Sequence, residues 1–367
     1  MSLRRFAASA GFFVLFLLPL EGFVRVVFFK EVDAASLRAK PPPASVVPFV
    51  RRVPDPELLY ALAPGARVLG WDQVRVEVDV SDCCRVVPGR RADDGNGTRI
   101  AILGDSTPFA WKLPFEQSYG ERLRPLLERS LPGPVLIRNF AVPGYNSQQN
   151  RVVLRDKALP WGADLVVLHY DHNDSEPVDD ARAAYMSAEY GDNILHSMLL
   201  KLLRRRLRGL GPVRRTVVVL DDPANPERLL GDYRYAGPQF EHHMREMKAV
   251  AELASASGVP VIVFIWNPWL KSAADADADS FYALLHKPIG ERLKGMGLRV
   301  ADSYGLYQGY MSREKRGDLR PLWVSAEDAH PNAEGHRLVA RYLAGEIIRA
   351  SALIRAARAR RERRPPP

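Results

Sequence analysis

Four short polar segments of the chain each hold a residue type that serves acyl-transfer chemistry. "ILGDSTPFAW" contains Ser106, "AVPGYNSQQ" contains Gly144, "DHND" contains Asn173 and "DAHPN" contains His330. A serine hydroxyl is a weak nucleophile until a base removes its proton, and histidine suits that task near neutral pH. A carboxylate can orient the imidazole. These residue types predict Ser106 as a nucleophile and His330 as its base.

The same segments offer hydrogen-bond donors for a tetrahedral oxyanion. The expected donors are the backbone N–H of Ser106 at the start of a helix, the backbone N–H of Gly144 and the side-chain amide of Asn173. Glycine at 144 permits close approach of the backbone. Taken singly, each segment has an ordinary interpretation as a turn, a cap or the first residues of a helix. Their occurrence together, in this order, favours a shared site.

Apolar runs rich in Val and Ile precede most of these polar segments. The runs cover residues 99–103, 135–142, 164–170, 259–266 and 298–302. Stretches with helical spacing lie between or after them, at 115–131, at 240–257 and beyond residue 331. Continuous apolar strands that alternate with helices predict a parallel sheet covered on both faces. Ligands bind such sheets at the carboxyl ends of the strands, which is where the polar segments fall.

These motifs resemble the four blocks of the SGNH/GDSL hydrolase superfamily. The matching segments are "ILGDSTPFAW", "NFAVPGYNSQQ", "VVLHYDHND" and "DAHPNAEGH", within residues 97–348. The resemblance implies a three-layer α/β/α, flavodoxin-like fold with a central parallel five-stranded sheet. It also implies hydrolysis or transfer of ester-linked acyl groups without a metal or organic cofactor. Ser106 would be the nucleophile, His330 the base, and Ser106, Gly144 and Asn173 the oxyanion hole.

The resemblance leaves two positions open for the acid that orients His330. A D-x-H spacing gives Asp328, whereas the longer spacing gives Glu327 as the alternative acid. Acyl-transferring members of the superfamily use the shorter spacing, and aspartate is the commoner acid, so we predict Asp328.

Two features depart from the family pattern. Thr107-Pro108 replaces the usual apolar residue after the serine, and Asp171 stands where the third block often has glycine. The proline is expected to alter the start of the following helix. The aspartate is expected to add negative charge beside the oxyanion donor. For three further polar residues we predict structural roles: Asp105, His172 and His336.

The first 30 residues have the composition of a targeting segment. Arg4 and Arg5 precede an apolar run from Phe6 to Leu20. An uncleaved membrane anchor is the favoured interpretation, and a signal peptide and a buried helix are the alternatives. The positive-inside rule then places the rest of the chain outside the membrane. We expect a bacterial inner-membrane protein with a periplasmic or extracytoplasmic catalytic domain, or else a secreted protein.

Composition divides the remainder of the chain. Residues 31–96 read as a Pro-rich linker followed by a small extended β segment, and residues 97–350 as the SGNH hydrolase domain. Residues 175–236 interrupt the strand–helix alternation as an insertion or lid. The chain carries a formal net charge of +9, and its last 13 residues hold six Arg and one Glu. We predict a disordered basic tail over 351–367 and no nucleic-acid partner.

The predicted function is serine-dependent hydrolysis of ester-linked acyl groups outside the cytoplasmic membrane. The expected partners are an acyl-ester substrate, either a lipid or an acetylated glycan, and the membrane through the N-terminal helix. Two alternatives remain at this point. One is an O-acyltransferase that acts on a cell-envelope polysaccharide, and the other is a catalytically inactive SGNH-like binding scaffold.

Overall fold

A computed structural model describes the parts of the chain that form the fold and the site. The described residues are Leu20, 49–65, 67–69, 74–81, 84–93, 95–176, 236–267, 270, 272–277, 280–314, 317–325 and 328–363. The strands are β1 (Val50–Arg52), β2 (Tyr60–Leu62), β3 (Arg67–Leu69), β4 (Arg75–Val78), β5 (Arg85–Val86), β6 (Thr98–Leu103), β7 (Val135–Asn139), β8 (Leu165–Tyr170), β9 (Val261–Ile265), β10 (Arg299–Asp302), β11 (Trp323–Ser325) and β12 (Asp328–Pro331). The α-helices are α1 (Tyr119–Leu127), α2 (Ser147–Val153), α3 (Gly237–Ser257), α4 (Phe281–Gly295), α5 (Ser303–Glu314), α6 (Ala333–Arg349) and α7 (Ser351–Glu362).

Five parallel strands form the central sheet, in the order β10-β9-β8-β6-β7. Strands β6, β8 and β9 are almost wholly apolar, because both faces of the sheet are covered. Ile100 of β6 pairs with Ile137 of β7 on one side and with Leu165 of β8 on the other. The predicted central parallel sheet is confirmed. Strand β6 lies between β8 and β7 in the sheet. The segments that follow these three parallel strands therefore meet at one edge of the sheet.

Helices cover the sheet on both faces and complete three layers. Ala101 and Leu103 of β6 point into a core cluster that holds residues of α2, α3 and α4. The alternating residues Ile100 and Ile102 point into a second cluster, shared with α1, α5 and α6. Because side chains alternate along a strand, β6 contributes to both layers. The predicted three-layer α/β/α arrangement is confirmed.

The helices nearest the site begin at side-chain caps. Ser118 accepts a hydrogen bond from the backbone N–H of Glu121 at the start of α1, and Asn146 forms a capping box with Gln149 at the start of α2. Asn332 accepts from two backbone N–H groups at the start of α6. Such caps satisfy the free donors of a first turn. The cap at Asn332 also determines where β12 ends and α6 begins.

The N-terminal strands pack onto the domain. Strand β1 pairs with β2, and β3, β4 and β5 form a small antiparallel sheet. Phe49 and Val50 are buried in the same cluster as α3. The predicted linker and extended β segment at 31–96 thus includes strands that pack onto the domain, because burial of apolar side chains such as those of Phe49 and Val50 stabilises the fold.

The C-terminal residues correct a second prediction. Residues 351–362 form α7, whereas the sequence predicts disorder there. Ile354 and Ala357 are buried, and Arg361 pairs with the buried Asp164 at 3.1 Å. The guanidinium of Arg361 also donates to the carbonyl oxygen of Gly97 at 2.9 Å. Arg358, Arg360 and Arg361, which suggested a solvated tail, instead bind the loops at the amino ends of the strands.

Two predicted segments lie outside the described residues. They are the N-terminal anchor at 1–30, of which only Leu20 is described, and residues 177–235 of the insertion. Among the described residues, no helix has both the length and the apolar character needed to cross a membrane.

Candidate active site

Ser106 follows directly on the carboxyl end of β6. Gly104 has φ +145°, and a Cβ there would lie 2.8 Å from the Cβ of His169 and 2.7 Å from the Cγ of Pro108. Glycine is therefore required where the chain leaves the sheet. The carboxylate of Asp105 accepts a hydrogen bond from the backbone N–H of Thr107 at 3.1 Å, which closes a turn around the serine. Ser106 is half-buried at the surface edge of this turn.

The residues after Ser106 form successive turns, whereas the sequence predicts the start of a helix. The backbone N–H of Phe109 donates to Asp105 and that of Trp111 donates to Ser106. Ala110 and Lys112 both have φ of 60°, which is the left-handed region. Pro108 has no N–H to donate, and left-handed residues cannot continue a right-handed helix. A regular helix begins only at Tyr119.

A hairpin from the far end of the domain brings His330 to the serine. Strand β12 pairs with β11, and His330 lies within β12. The Nε2 of His330 lies 2.8 Å from the Oγ of Ser106. Its Nδ1 lies 2.5 Å from the Oδ1 of Asp328. Three predicted residues are thus joined in one hydrogen-bonded chain, Ser106–His330–Asp328. Glu327, the alternative acid, lies outside the described residues.

Asp328 has a second partner that sequence reasoning missed. The Nζ of Lys112 lies 2.9 Å from the Oδ2 of Asp328. Burial raises the pKa of Asp328, but the hydrogen bonds from His330 and Lys112 outweigh it and hold the pKa well below its usual range. The carboxylate is therefore ionised and fixed through both oxygens. No motif marks Lys112, since its partner is 216 positions away in the chain.

Gly144 and Asn173 follow the two strands that flank β6. The backbone N–H of Val142 donates to the carbonyl of Gly104 at 3.1 Å, so the segment after β7 runs beside the segment that carries Ser106. Gly144 has φ +77°, in the region that favours glycine. Asn173 is buried, and its Nδ2 donates to the carbonyl of Tyr145 at 3.3 Å. That bond ties the two segments together at the edge of the sheet where Ser106 lies.

Asp171 forms a second Asp–His pair with its neighbour. The Nδ1 of His172 lies 2.6 Å from the Oδ1 of Asp171. Burial raises the pKa of Asp171, but the charge and hydrogen bonds of His172 outweigh it and lower the pKa. Burial lowers the pKa of His172, and Asp171 more than reverses this, so the pKa of His172 is raised. The negative charge expected beside the oxyanion donor is therefore paired with the imidazole of His172.

Asp105, His169 and Asp171 form a buried cluster beneath the serine. Their potential ligand atoms lie within 4.8 Å of one another, so by residue type this cluster could hold a metal ion. Burial and the nearby charge of Asp171 raise the pKa of Asp105. Burial also lowers the pKa of His169 to about 4, so the imidazole is neutral. A proton on Asp105 relieves the repulsion between the two carboxylates.

His336 lies in the core below the site. It is fully buried, and its Nδ1 accepts a hydrogen bond from the backbone N–H of Tyr119 at 3.1 Å. Its ring stacks on the ring of Tyr119 with 5.8 Å between centroids. These contacts tie α6 to the start of α1 and leave His336 apart from the chain formed by Ser106 and His330.

Comparison with known proteins supplies the family context. A sequence model of the GDSL-like lipase/acylhydrolase family matches residues 102–287, just over half of the 367 residues. That span includes Ser106, Gly144 and Asn173, and it ends before the hairpin of Asp328 and His330. No curated protein matched the chain.

Solved structures with a similar arrangement include three esterases and lipases at low identity. The acetyl xylan esterase AlAXEase is 14% identical, with a TM-score of 0.42 over 68% of this chain and 99% of its own. The lipase Lip_vut3 from a goat rumen metagenome is 14% identical, with a TM-score of 0.42 over 70% and 100%. The psychrotrophic esterase EstA from Pseudoalteromonas sp. is 11% identical, with a TM-score of 0.40 over 69% and 98%.

Proposed function

Because the chain belongs to the GDSL-like lipase/acylhydrolase family and is a serine ester hydrolase, we propose that Ser106, His330 and Asp328 are its catalytic residues. The observation that carries this proposal is the unbroken hydrogen-bonded chain from the Oγ of Ser106 through His330 to Asp328. Ser106 remains half-buried, so a substrate carbonyl can reach its hydroxyl.

In the first step, the Oγ of Ser106 attacks the carbonyl carbon of an ester. The Nε2 of His330, 2.8 Å away, accepts the hydroxyl proton as the new bond forms. Asp328 accepts a hydrogen bond from the Nδ1–H and stabilises the imidazolium. The C–O bond to the alcohol then breaks, and His330 returns the proton to the leaving oxygen. The product is an acyl-serine and a free alcohol.

In the second step, water resolves the acyl-serine. His330 removes a proton from the water, the hydroxide attacks the acyl carbon, and Ser106 leaves with the proton that His330 returns. Both tetrahedral intermediates carry a negative oxygen that needs donors. We assign this role to the backbone N–H groups of Ser106 and Gly144 and to the Nδ2 of Asn173. The turn geometry around Gly144 and the tie from Asn173 to Tyr145 support the assignment.

The proposed substrate is an acyl ester of a lipid or of an acetylated glycan. The open, half-buried setting of Ser106 and His330 suits a substrate that approaches from the surface. A series of p-nitrophenyl esters from acetate to palmitate separates the two classes. Short esters are expected to be preferred if the natural substrate is an acetylated glycan, and long esters if it is a lipid.

A direct test compares the full-length protein with Ser106→Ala on p-nitrophenyl acetate. The wild type is expected to release p-nitrophenol, and the variant is expected to fall by about 10⁴-fold to a background rate. Ser130→Ala, a serine of the turn after α1, is the matched control and is expected to keep the wild-type rate. Equal rates for the wild type and Ser106→Ala would refute the proposal and favour an inactive scaffold.

Transfer to a sugar hydroxyl is the second candidate function. The observation that favours it is the pairing of Asp328 with His330 at the shorter of the two spacings. The acyl-serine is the same, and a glycan hydroxyl replaces water as the nucleophile. Incubation of the protein with an acetyl donor and a polysaccharide acceptor distinguishes transfer from hydrolysis. Acetylated glycan in excess of free acetate indicates transfer, and the reverse indicates hydrolysis.

For the location, we propose that residues 1–30 anchor the protein in the inner membrane, with the catalytic domain outside the cytoplasm. The support is the order of Arg4 and Arg5 before the apolar run of residues 6–20. Mass spectrometry of membrane fractions is expected to find the intact N-terminus. A mature chain that starts near residue 36 would contradict the anchor and indicate secretion.

A further inference from the structure

The loop that follows the serine holds an unfavourable backbone. Residues 107–113, here called the nucleophile loop, include Ala110 and Lys112, both with φ of 60°. Left-handed backbone is unfavourable for a residue with a side chain, because its Cβ comes too close to the following carbonyl oxygen. Such a conformation persists only where surrounding contacts determine it, and it often marks a functional position.

A buried arginine from the N-terminal sheet supplies those contacts. Arg85 of β5 is 2% exposed, and its Nη1 donates to the carbonyls of Phe109 at 2.6 Å and Ala110 at 2.9 Å. Its Nη2 donates to the carbonyl of Leu113 at 2.8 Å. The guanidinium also lies over the ring of Phe109, 4.7 Å from its centroid. Arg85 therefore fixes the loop on both sides of the two left-handed residues.

The nucleophile loop, held by Arg85, places Lys112 next to Asp328. Its Nζ lies 2.9 Å from the Oδ2 of Asp328, and the Oδ1 of Asp328 faces the Nδ1 of His330. The side chains of Lys112 and Asp328 are 27% and 16% exposed, so the pair is partly shielded from solvent. A carboxylate held through one oxygen alone can rotate. The lysine removes that freedom and leaves Oδ1 directed at His330.

We propose that Lys112 is a positioning residue that acts on the reaction through Asp328. This inference rests on the proposed function of Ser106, His330 and Asp328. It adds a fourth residue to their chain and gives the N-terminal sheet a role in the site, because Arg85 holds the loop that carries the lysine. An exposed ion pair contributes little, whereas a pair that orients a reacting group affects the rate directly.

The test measures steady-state kinetics of full-length Lys112→Met and Lys112→Arg on p-nitrophenyl acetate. Lys112→Met is expected to lower kcat about tenfold, with KM within twofold and the thermal midpoint within about 2 °C. Lys112→Arg, which keeps the charge, is expected to recover kcat to within about threefold. Lys248→Met, which breaks the exposed pair with Glu252 on α3, is the matched control and is expected to leave kcat unchanged.

A double-mutant cycle separates action through Asp328 from a local structural role. In an Asp328→Asn background, Lys112→Met is expected to change kcat less than twofold. An unchanged kcat for Lys112→Met in the wild-type background would overturn the proposal, and so would the same tenfold loss in the Asp328→Asn background. Failure of the proposed function is recognised separately, because Ser106→Ala would then retain wild-type activity whatever residue 112 is.

Discussion

The site contains two Asp–His pairs with nearly the same contact and different surroundings. Asp328 and His330 lie 2.5 Å apart on the β12 hairpin, and Asp171 and His172 lie 2.6 Å apart after β8. The imidazole of His330 reaches the Oγ of Ser106 at 2.8 Å. The pair after β8 is instead a local turn, in which Asp171 also accepts the backbone N–H of His172.

We expect an Asp–His pair to act in catalysis where the second ring nitrogen faces a nucleophile, as the Nε2 of His330 faces the Oγ of Ser106. The carboxylate of Asp328 is held by a lysine from another segment, and its histidine faces a half-buried hydroxyl. The carboxylate of Asp171 is almost fully buried beside Asp105 and is balanced by its own neighbour. We expect the pair of Asp328 and His330 to move a proton during the reaction, and the pair of Asp171 and His172 to compensate a buried charge.

The largest expected effect separates the two histidines. His330→Ala is expected to lower kcat by about 10⁴-fold or more, because the base for Ser106 is lost. His172→Ala is expected to lower kcat less than tenfold, since the Nδ1 of that ring pairs with Asp171 and not with the proposed acid of Ser106 and His330. Steady-state rates on p-nitrophenyl acetate check both. Comparable losses in the two variants would mean that the pair after β8 is part of the proton-transfer path.

The second largest expected effect is the difference in kcat between substitutions of the two aspartates, Asp328 and Asp171. Asp328→Asn is expected to lower kcat by about 10³-fold, because an amide cannot stabilise the imidazolium and favours the wrong tautomer. Asp171→Asn is expected to stay within tenfold in kcat and to lower the thermal midpoint, because it breaks the bonds to His172. Kinetics and thermal unfolding of both proteins provide the check. A wild-type kcat for Asp328→Asn would show that another carboxylate orients His330, and Glu327 would be the first candidate.

The segment of the second pair is expected to contribute through Asn173. Asn173→Ala is expected to lower kcat about 10²-fold with a smaller change in KM, because the Nδ2 donor serves the transition state more than the ground state. The matched control is Asn150→Ala in α2, which removes a buried amide from a neighbouring helix. A loss no greater than that of the control would remove Asn173 from the oxyanion hole.

The last expected effect concerns stability rather than rate. The folded-state pKa of Asp105 is raised, first by burial and then by the charge of Asp171, above its ordinary value of 3.8. The folded protein therefore binds more protons than the unfolded chain just above that pH, and this residue's contribution to the free energy of unfolding falls as the pH rises. Asp105→Asn removes the effect, at about 1.4 kcal/mol for each unit of pKa rise.

Denaturant unfolding between pH 4 and pH 7 measures this difference. Asp105→Asn is expected to gain stability relative to the wild type as the pH rises. The exposed Asp318, which pairs with Arg320, provides Asp318→Asn as a control that is expected to change little. A gap between Asp105→Asn and the wild type that stays constant with pH would show that Asp105 is ionised throughout the range.

The sequence predicted those parts of the molecule that depend on local pattern. Short apolar runs rich in Val and Ile that alternate with helical stretches indicate a covered parallel sheet, so the central strands and the edge that holds Ser106 could be predicted. The contacts of Lys112 and Arg85 were not, because each joins residues that only the tertiary fold brings together. The turn after Ser106 was predicted as the start of a helix, because no local pattern shows that Arg85 binds the carbonyl oxygens of Phe109 and Ala110.

The C-terminal arginines show the same limit. Six arginines near the end of the chain predicted a solvated tail, because pattern alone assigns charged runs to solvent. Three of them, Arg358, Arg360 and Arg361, instead donate to carbonyl oxygens at the amino ends of the strands, those of Pro132, Gly258 and Gly97. A run of charged residues therefore does not predict disorder where the folded domain offers backbone carbonyl oxygens that those residues can bind.

The most direct test of the central claim is covalent labelling of Ser106. The full-length protein is treated with an alkyl phosphonate that carries a good leaving group, and its peptides are mapped by mass spectrometry. One phosphonate is expected on the peptide that contains Ser106, formed about 10³-fold more slowly in His330→Ala and absent in Ser106→Ala. Labelling at another serine, or an equal rate of labelling in His330→Ala, would contradict the assignment of Ser106 as the nucleophile activated by His330.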